Sequence, residues 1–263
     1  MVKKRLIPKL LIQHRKIGSM VRPILVTTRQ FDQSFDVGDP VSQAKIYQAQ
    51  MADELIVLNI DRTPIGSDEL LLGIIERLAS ETFMPLAVGG GVSSAEDFGR
   101  LLDHGADKVV INTVAAEYPD IIDAAASQFG AQCVVVSIDY RRDADGTPRV
   151  HTDRASRRTE RCVVEWAHEA AQRGAGEIVL VDADRDGTGN GLDCALCAEV
   201  AYSLPIPVIL SGGCGIASHF SDGILDGGAE AISAGTFFAF RDQNPIQTRS
   251  HVRNSGIDIR MET

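Results

Sequence analysis

The chain has 263 residues, 44% of them apolar, and a net charge of −10. That length suits one soluble domain of barrel size. The acidic balance argues against a general nucleic-acid or anionic-membrane surface, while leaving local phosphate binding through backbone N–H groups open. No apolar run approaches a membrane span.

The basic start, Met1-Val-Lys-Lys-Arg-Leu-Ile-Pro-Lys9, is broken by Pro8 and Lys9. It is read as the first strand of a cytoplasmic protein rather than as a signal peptide. Short apolar runs predict eight strands, at 6–12, 55–60, 85–89, 108–112, 134–139, 178–182, 208–211 and 231–234. Helical stretches lie between them. One, at 41–52, follows Asp39-Pro40, an N-cap with proline at the first helical position. Another, at 94–104, follows Ser93 and stops at Gly105, and a third, at 161–172, stops before Gly174. Two long segments, 13–38 and 140–158, are predicted as charge-rich solvated loops, with a mobile lid as the lesser alternative. The residues after Phe240 form a final helix or a frayed segment.

The order of these pieces repeats. Met84-Pro-Leu-Ala-Val-Gly-Gly-Gly91 returns as Ile206-Pro-Val-Ile-Leu-Ser-Gly-Gly213, with Pro85 and Pro207 122 residues apart. Asp53-Glu-Leu-Ile-Val-Leu-Asn-Ile-Asp-Arg62 returns as Gly176-Glu-Ile-Val-Leu-Val-Asp-Ala-Asp-Arg185, and Gly105-Ala-Asp-Lys108 as Gly228-Ala-Glu-Ala231. Two halves, each reading β-α four times, predict an α/β (βα)8 TIM barrel. The expectation is one domain over 1–263, with half-barrels at about 1–123 and 124–245 and a tail at 246–263.

Each half carries a glycine cluster at one strand end and a small polar pair at the next. The first set is Gly91 with Asn112 and Thr113; the second is Gly213 with Gly235 and Thr236. Glycine lets a backbone approach a ligand closely, so both sets are candidate phosphate sites. The bland reading is that these glycines only make tight turns.

Five cysteines, an odd number, argue against a disulfide framework. Cys194-Ala-Leu-Cys197 has metal-ligand spacing but no second pair and no nearby histidine. Two small residues on the core side of a helix are the preferred reading, and no metal is expected. His14, His104, His151, His168, His219 and His251 are scattered, and Trp166 is read as packing.

Several motifs together resemble the cyclase subunit of imidazole glycerol phosphate synthase, HisF. They are Arg5-Leu-Ile-Pro8, Gly38-Asp-Pro40, Asp53-Glu-Leu55, Val88-Gly-Gly-Gly91, Gly105-Ala-Asp-Lys-Val109, Ile111-Asn-Thr113, Ser137-Ile-Asp139, Asp184-Arg-Asp-Gly-Thr188 and Ser211-Gly-Gly213. The resemblance runs from about residue 1 to 240. It implies a barrel that takes ammonia from a glutaminase subunit at its N-terminal face and passes it to the C-terminal face. It also implies a bisphosphorylated ligand, adds Gly187 to the phosphate-site residues, and implies no cofactor.

The family reaction uses two aspartates. Asp139 keeps the strand 5 position, but at the strand 1 position Ile-Pro-Cys-Leu-Asp is replaced by Ile7-Pro8-Lys9-Leu10-Leu11. Leu11 cannot move a proton, and no Asp or Glu precedes Asp32. The family's Val-Lys-Asp-Gly pattern after strand 1 is absent, and Val181 stands where a threonine is expected.

The family's floor ring of four charges is complete, in Arg5, Glu54, Lys108 and Glu177. Asp107 matches the acid that docks a lysine of the glutaminase. An ammonia gate is favoured here over a mere floor plug.

A paralogous group found in surface-polysaccharide loci shares Pro-x-Leu-Leu in strand 1 and the Phe83-Met-Pro-Leu86 run. By that resemblance the chain conducts ammonia from a HisH-like glutaminase, as a heterodimer, to a sugar amidotransferase that amidates an N-acetyl sugar. A true cyclase-lyase, the neighbouring isomerase of histidine synthesis, and an inert module binding a phosphorylated small molecule remain as alternatives.

Overall fold

In the computed structural model, which describes residues 3–61, 63–240 and 243–260, the apolar runs pair into a closed parallel barrel. Its staves are β1 (Arg5–Ile17), β4 (Leu55–Asn59), β5 (Leu86–Gly89), β6 (Lys108–Ile111), β7 (Val134–Arg142), β10 (Glu177–Asp182), β11 (Val208–Ser211) and β12 (Ala231–Ala234). Each stave is parallel to the next, and closure runs from Arg5 opposite Ala231 to Glu177 opposite Val135. This is the (βα)8 TIM barrel expected from the repeat. Arg62, which ends one repeated segment, and residues 261–263 of the tail lie outside the described residues.

Alternation along the strands decides the two cores. Ile7, Ile56, Ala87, Val110, Val135, Val179, Val181, Ile209 and Ala231 fill the inside of the barrel. Leu6, Leu10, Leu55, Val57, Val109, Val134, Val136, Ile178, Leu180 and Leu210 point outward into a second core shared with the helices. The strands are buried on both sides, which is why they read as nearly continuous apolar runs.

The helices are α1 (Pro40–Ala49), α2 (Glu69–Glu81), α3 (Ala95–Asp103), α4 (Thr113–Glu117), α5 (Asp120–Phe129), α6 (Val163–Gln172), α7 (Cys194–Ala201), α8 (Ser218–Leu225), α9 (Thr236–Phe240) and α10 (Pro245–Asn254). Asp39 caps α1 by accepting from the Ser42 N–H at 2.7 Å. The cap of α3 is Ser94 rather than Ser93, because Ser94 Oγ accepts from Asp97 N and Ser93 instead bonds the Asp97 carboxylate. Helix α1 stops before residue 52, where Met51 takes a left-handed backbone (φ 59°). Cys194 and Cys197 lie on α7, with Cys197 buried. No helix among the described residues is long and apolar enough to cross a membrane.

The two segments expected to be loops fold instead as β-hairpins. β1 runs on to Ile17 and turns into β2 (Met20–Arg29) and β3 (Gln33–Gly38). β7 runs on to Arg142 and turns into β8 (Pro148–Thr152) and β9 (Arg157–Cys162). The antiparallel registers, Leu11 opposite Val26 and Asp139 opposite His151, carry the staves beyond the barrel rim. α6 consequently begins at Val163, two residues later than expected. The cause is pairing across the strand: charged residues face water on one side of an antiparallel ribbon and need no apolar run of their own.

Candidate functional site

At the C-terminal mouth, period-two alternation puts Arg5, Ile7, Lys9 and Leu11 on the inner face of β1. Lys9 and Leu11 reach a cavity of about 520 Å³, which Asp139, Asn112, Thr113, Gly91 and Val181 also line. Asp139 lies on the inner face of β7 where the strand leaves the barrel, and is buried. Burial pushes its carboxyl up to about 6, against the pull of the Lys9 ammonium and of hydrogen bonds from Ser137 and Asn112, with Asp186 pushing the same way as burial. The position opposite on β1 is Leu11, also buried, so the mouth holds no strand 1 carboxylate.

The sequence reading missed Lys9. Its Nζ lies 3.3 Å from Asp186 Oδ1 and 3.4 Å from Ser211 Oγ. The other Asp186 oxygen accepts from Thr28 Oγ1 at 2.7 Å. A lysine two residues before Leu11 on an alternating strand was the available signal, since Leu11 was already placed inside.

The two candidate phosphate sets differ. Gly91, Asn112 and Thr113 share the cavity wall. Gly187, Gly213, Gly235 and Thr236 do not line it, and the end of β2 lies against two of them. The Thr236 hydroxyl donates to Thr28 O at 3.4 Å, and a Cβ on Gly187 would stand 2.1 Å from that same oxygen. Local packing accounts for much of the glycine. Gly91 has φ 78°, and a Cβ there would meet Thr63 O at 2.4 Å; Gly213 has φ 111°, and a Cβ there would meet Gly191 O at 2.1 Å. The cavity lining, not glycine identity, separates the two sets.

At the other end the four floor charges meet as a closed ring. Arg5 contacts Glu54 at 2.6 Å and Glu177 at 2.9 Å, and Lys108 contacts each glutamate at 3.0 Å. Burial works against the Arg5 charge, but Glu177 and Glu54 more than offset it and raise its pKa. Each cation touches both anions, the balance a poorly solvated cluster needs. Asp107, exposed beside Lys108, accepts from Leu86 N at 2.8 Å. Asp53, beside Glu54, accepts from Leu6 N and from the buried Arg249 of α10, both also missed in the sequence.

A (βα)8 barrel with a charged ring at its floor and an aspartate at its mouth defines a HisF-type subunit. The chain belongs to that family: the family described as "Histidine biosynthesis protein" matches residues 5–243. Over 262 residues, covering 100% of both chains, it is 48% identical to a protein of Prochlorococcus marinus (strain MIT 9313) named "Putative imidazole glycerol phosphate synthase subunit hisF2".

Proposed function

We propose that this HisF-type chain conducts ammonia within a glutamine-dependent amidotransferase assembly. A HisH-like glutaminase docks at the N-terminal face, and the ammonia serves a sugar amidotransferase that amidates an N-acetyl sugar in surface-glycan synthesis. The observation that carries this reading is the contrast between the barrel's ends: a complete charge ring at the floor and Leu11 in place of an acid at the mouth.

The physics of passage supports it. Neutral ammonia crosses an apolar interior at far lower cost than ammonium does. The path from the ring is lined by Ile7, Ile56, Val110, Val135, Val179 and Ile209. Of the two cations, Lys108 has a point charge on a flexible stem, whereas Arg5 is a planar fork spread across both glutamates. Lys108 is the member that swings aside when the ring opens.

The competing reading is a working cyclase-lyase, favoured by the retained Asp139 and by the name of the Prochlorococcus marinus relative. Proton transfer by one positioned group contributes about 10²–10⁴-fold to rate. Supplied with the bisphosphorylated ribulosyl intermediate and ammonium salt, the isolated chain should therefore show no significant turnover. Rates within roughly tenfold of a genuine cyclase subunit would favour histidine synthesis instead. In the reconstituted assembly, amidation of the sugar from glutamine should require this chain, and amidation from free ammonium should not.

A further inference from the structure

The mouth cavity reaches down to Ile56, Val110 and Val179 of the apolar column, and Lys9 lines the same cavity. Parallel partners share a face, which puts Ser137, Ser211 and Ser233 inside the barrel with Val179, Val181 and Ile7. Lys9 is only 7% exposed, so its ammonium is held by the barrel and not by water. The Nζ lies against Asp186 and Ser211, and its charge also bears on Asp139 and Cys214.

Two details show that this place suits an ammonium better than it suits a lysine. The Nζ stops 3.3 Å from Asp186 and 3.4 Å from Ser211, where a relaxed charge-assisted bond is about 2.7–2.9 Å. Thr28 fixes the other Asp186 oxygen from the far side, so the carboxylate cannot close the gap freely. Beside Ser211 in register, Ser233 Oγ is fully buried and has no hydrogen-bond partner among the described residues. An orphan hydroxyl of this kind is uncommon inside a fold. A free ammonium has four N–H donors against the three of lysine, and no stem to limit its approach.

We infer that Lys9 is a tethered cation occupying an ammonium site of the barrel, and that it keeps ammonia from being held there as ammonium between Asp186 and Asp139. The purpose of the device rests on the ammonia-passage reading; the existence of the site does not. Ammonia that meets a protonated carboxyl takes its proton: an N–H bond forms as the O–H bond breaks, leaving carboxylate and ammonium paired. That ammonium has no lone pair for attack, and a buried ion pair is costly to separate. Asp139, whose carboxyl titrates at about 6, is such a proton donor. Lys9 opposes both events. Its charge draws the Asp139 carboxyl down, and its Nζ fills the place the ammonium would take.

Thermal unfolding of the isolated full chain tests the site at pH 7. Ammonium and methylammonium chloride are compared with sodium chloride at equal ionic strength. Lys9→Ala should melt about 2–6 °C higher in the amine salts, with saturation, because a ligand that binds only the folded state raises its stability. The parent and Lys9→Met, whose sites are filled, should show no such difference. Adding Asp186→Asn to Lys9→Ala should abolish the gain. Lys9→Ser is read in the same way should Lys9→Ala not fold. Passage is tested in the reconstituted assembly, with glutamine carrying heavy nitrogen in its amide and unlabelled ammonium chloride in the buffer. The parent should deliver labelled nitrogen to the sugar, and Lys9→Ala should dilute that label several-fold, which a merely structural change would not do. No amine-specific gain in Lys9→Ala or Lys9→Ser would overturn the site. Undiluted label in Lys9→Ala would overturn its role in passage. Unlabelled sugar from the parent would instead overturn passage through the barrel, and that role with it, while the melting result stood.

Discussion

Asp139 and Lys9 are both buried at the barrel mouth, and the Lys9 ammonium bears on the Asp139 carboxyl. The Asp139 carboxyl titrates at about 6 in the fold against an ordinary 3.8. The folded state thus holds the proton more tightly than the unfolded chain does. The stabilisation this provides is complete below pH about 4 and is lost as pH rises through about 6. Above that the charged form costs up to about 3 kcal/mol, from roughly two pKa units at 1.36 kcal/mol each. Asp139→Asn should match the parent in chemical denaturation near pH 4 and exceed it by about 1–3 kcal/mol at pH 7.5. Equal stability at both values would mean that the carboxylate is better solvated than its burial indicates. Lys9→Met should push the Asp139 carboxyl above 6, because it removes the largest of the influences that lower it; carbon NMR of the carboxyl reads this directly. The aspartate was legible in the sequence through its motif. Its control by Lys9 and Asp186 was not, because Asp186 lies 177 residues from Lys9 and only barrel closure brings them together.

The hairpins β2–β3 and β8–β9 follow β1 and β7, staves that correspond in the two-half repeat. The Arg141 side chain bridges them. Arg141 donates to Gln30 O at 2.9 Å, to Ala155 O at 3.2 Å and to Asp184 Oδ1 at 2.5 Å. Its bonds reach the turns at both tips, and the backbone is left-handed at Gln30, Phe31 and Asp153 to Ala155. Arg141→Met should raise amide exchange at residues 27–34 and 150–158 while leaving β5, β6 and β11 protected. The global loss should be about 1–2 kcal/mol, since the guanidinium is partly solvated. Unchanged exchange at both tips would show that backbone pairing alone holds the hairpins. The barrel strands were readable because residues buried on both sides leave an apolar run. The hairpins were not, because their polar faces look like loop composition, and pairing partners cannot be inferred from one strand's composition.

Across the whole molecule, a charged ring and an open cavity stand at opposite ends of one axis. The floor is a neutral four-charge ring and the mouth an open cavity, with an apolar column between them. The repeat made this polarity legible: Glu54 and Glu177 head corresponding segments, and Arg5 and Lys108 start staves on the same face. The closed geometry was not legible, because spacing alone does not say that each cation bridges both anions. That geometry makes Lys108 the sensitive member. Lys108→Met leaves Glu54 and Glu177 sharing Arg5 alone. An uncompensated buried charge of this kind costs about 3–5 kcal/mol when fully buried, and less here, where Lys108 is partly solvated. The variant should still bind a HisH-like glutaminase, because the ring is recessed. It should raise the ratio of glutamate formed to sugar amidated, because ammonia would escape or stall at a floor that no longer closes. Asp107→Asn is the complementary change. The amide can still accept from Leu86 N, so the strand start is kept while the charge is lost. It should weaken partner binding by about 2–5 kcal/mol if its ion pair is desolvated at the interface, with the ratio unchanged once the complex is saturated. If Lys108→Met left the ratio untouched while Asp107→Asn abolished binding, the partner would dock as expected but the ring would be only a plug, and ammonia would take another route.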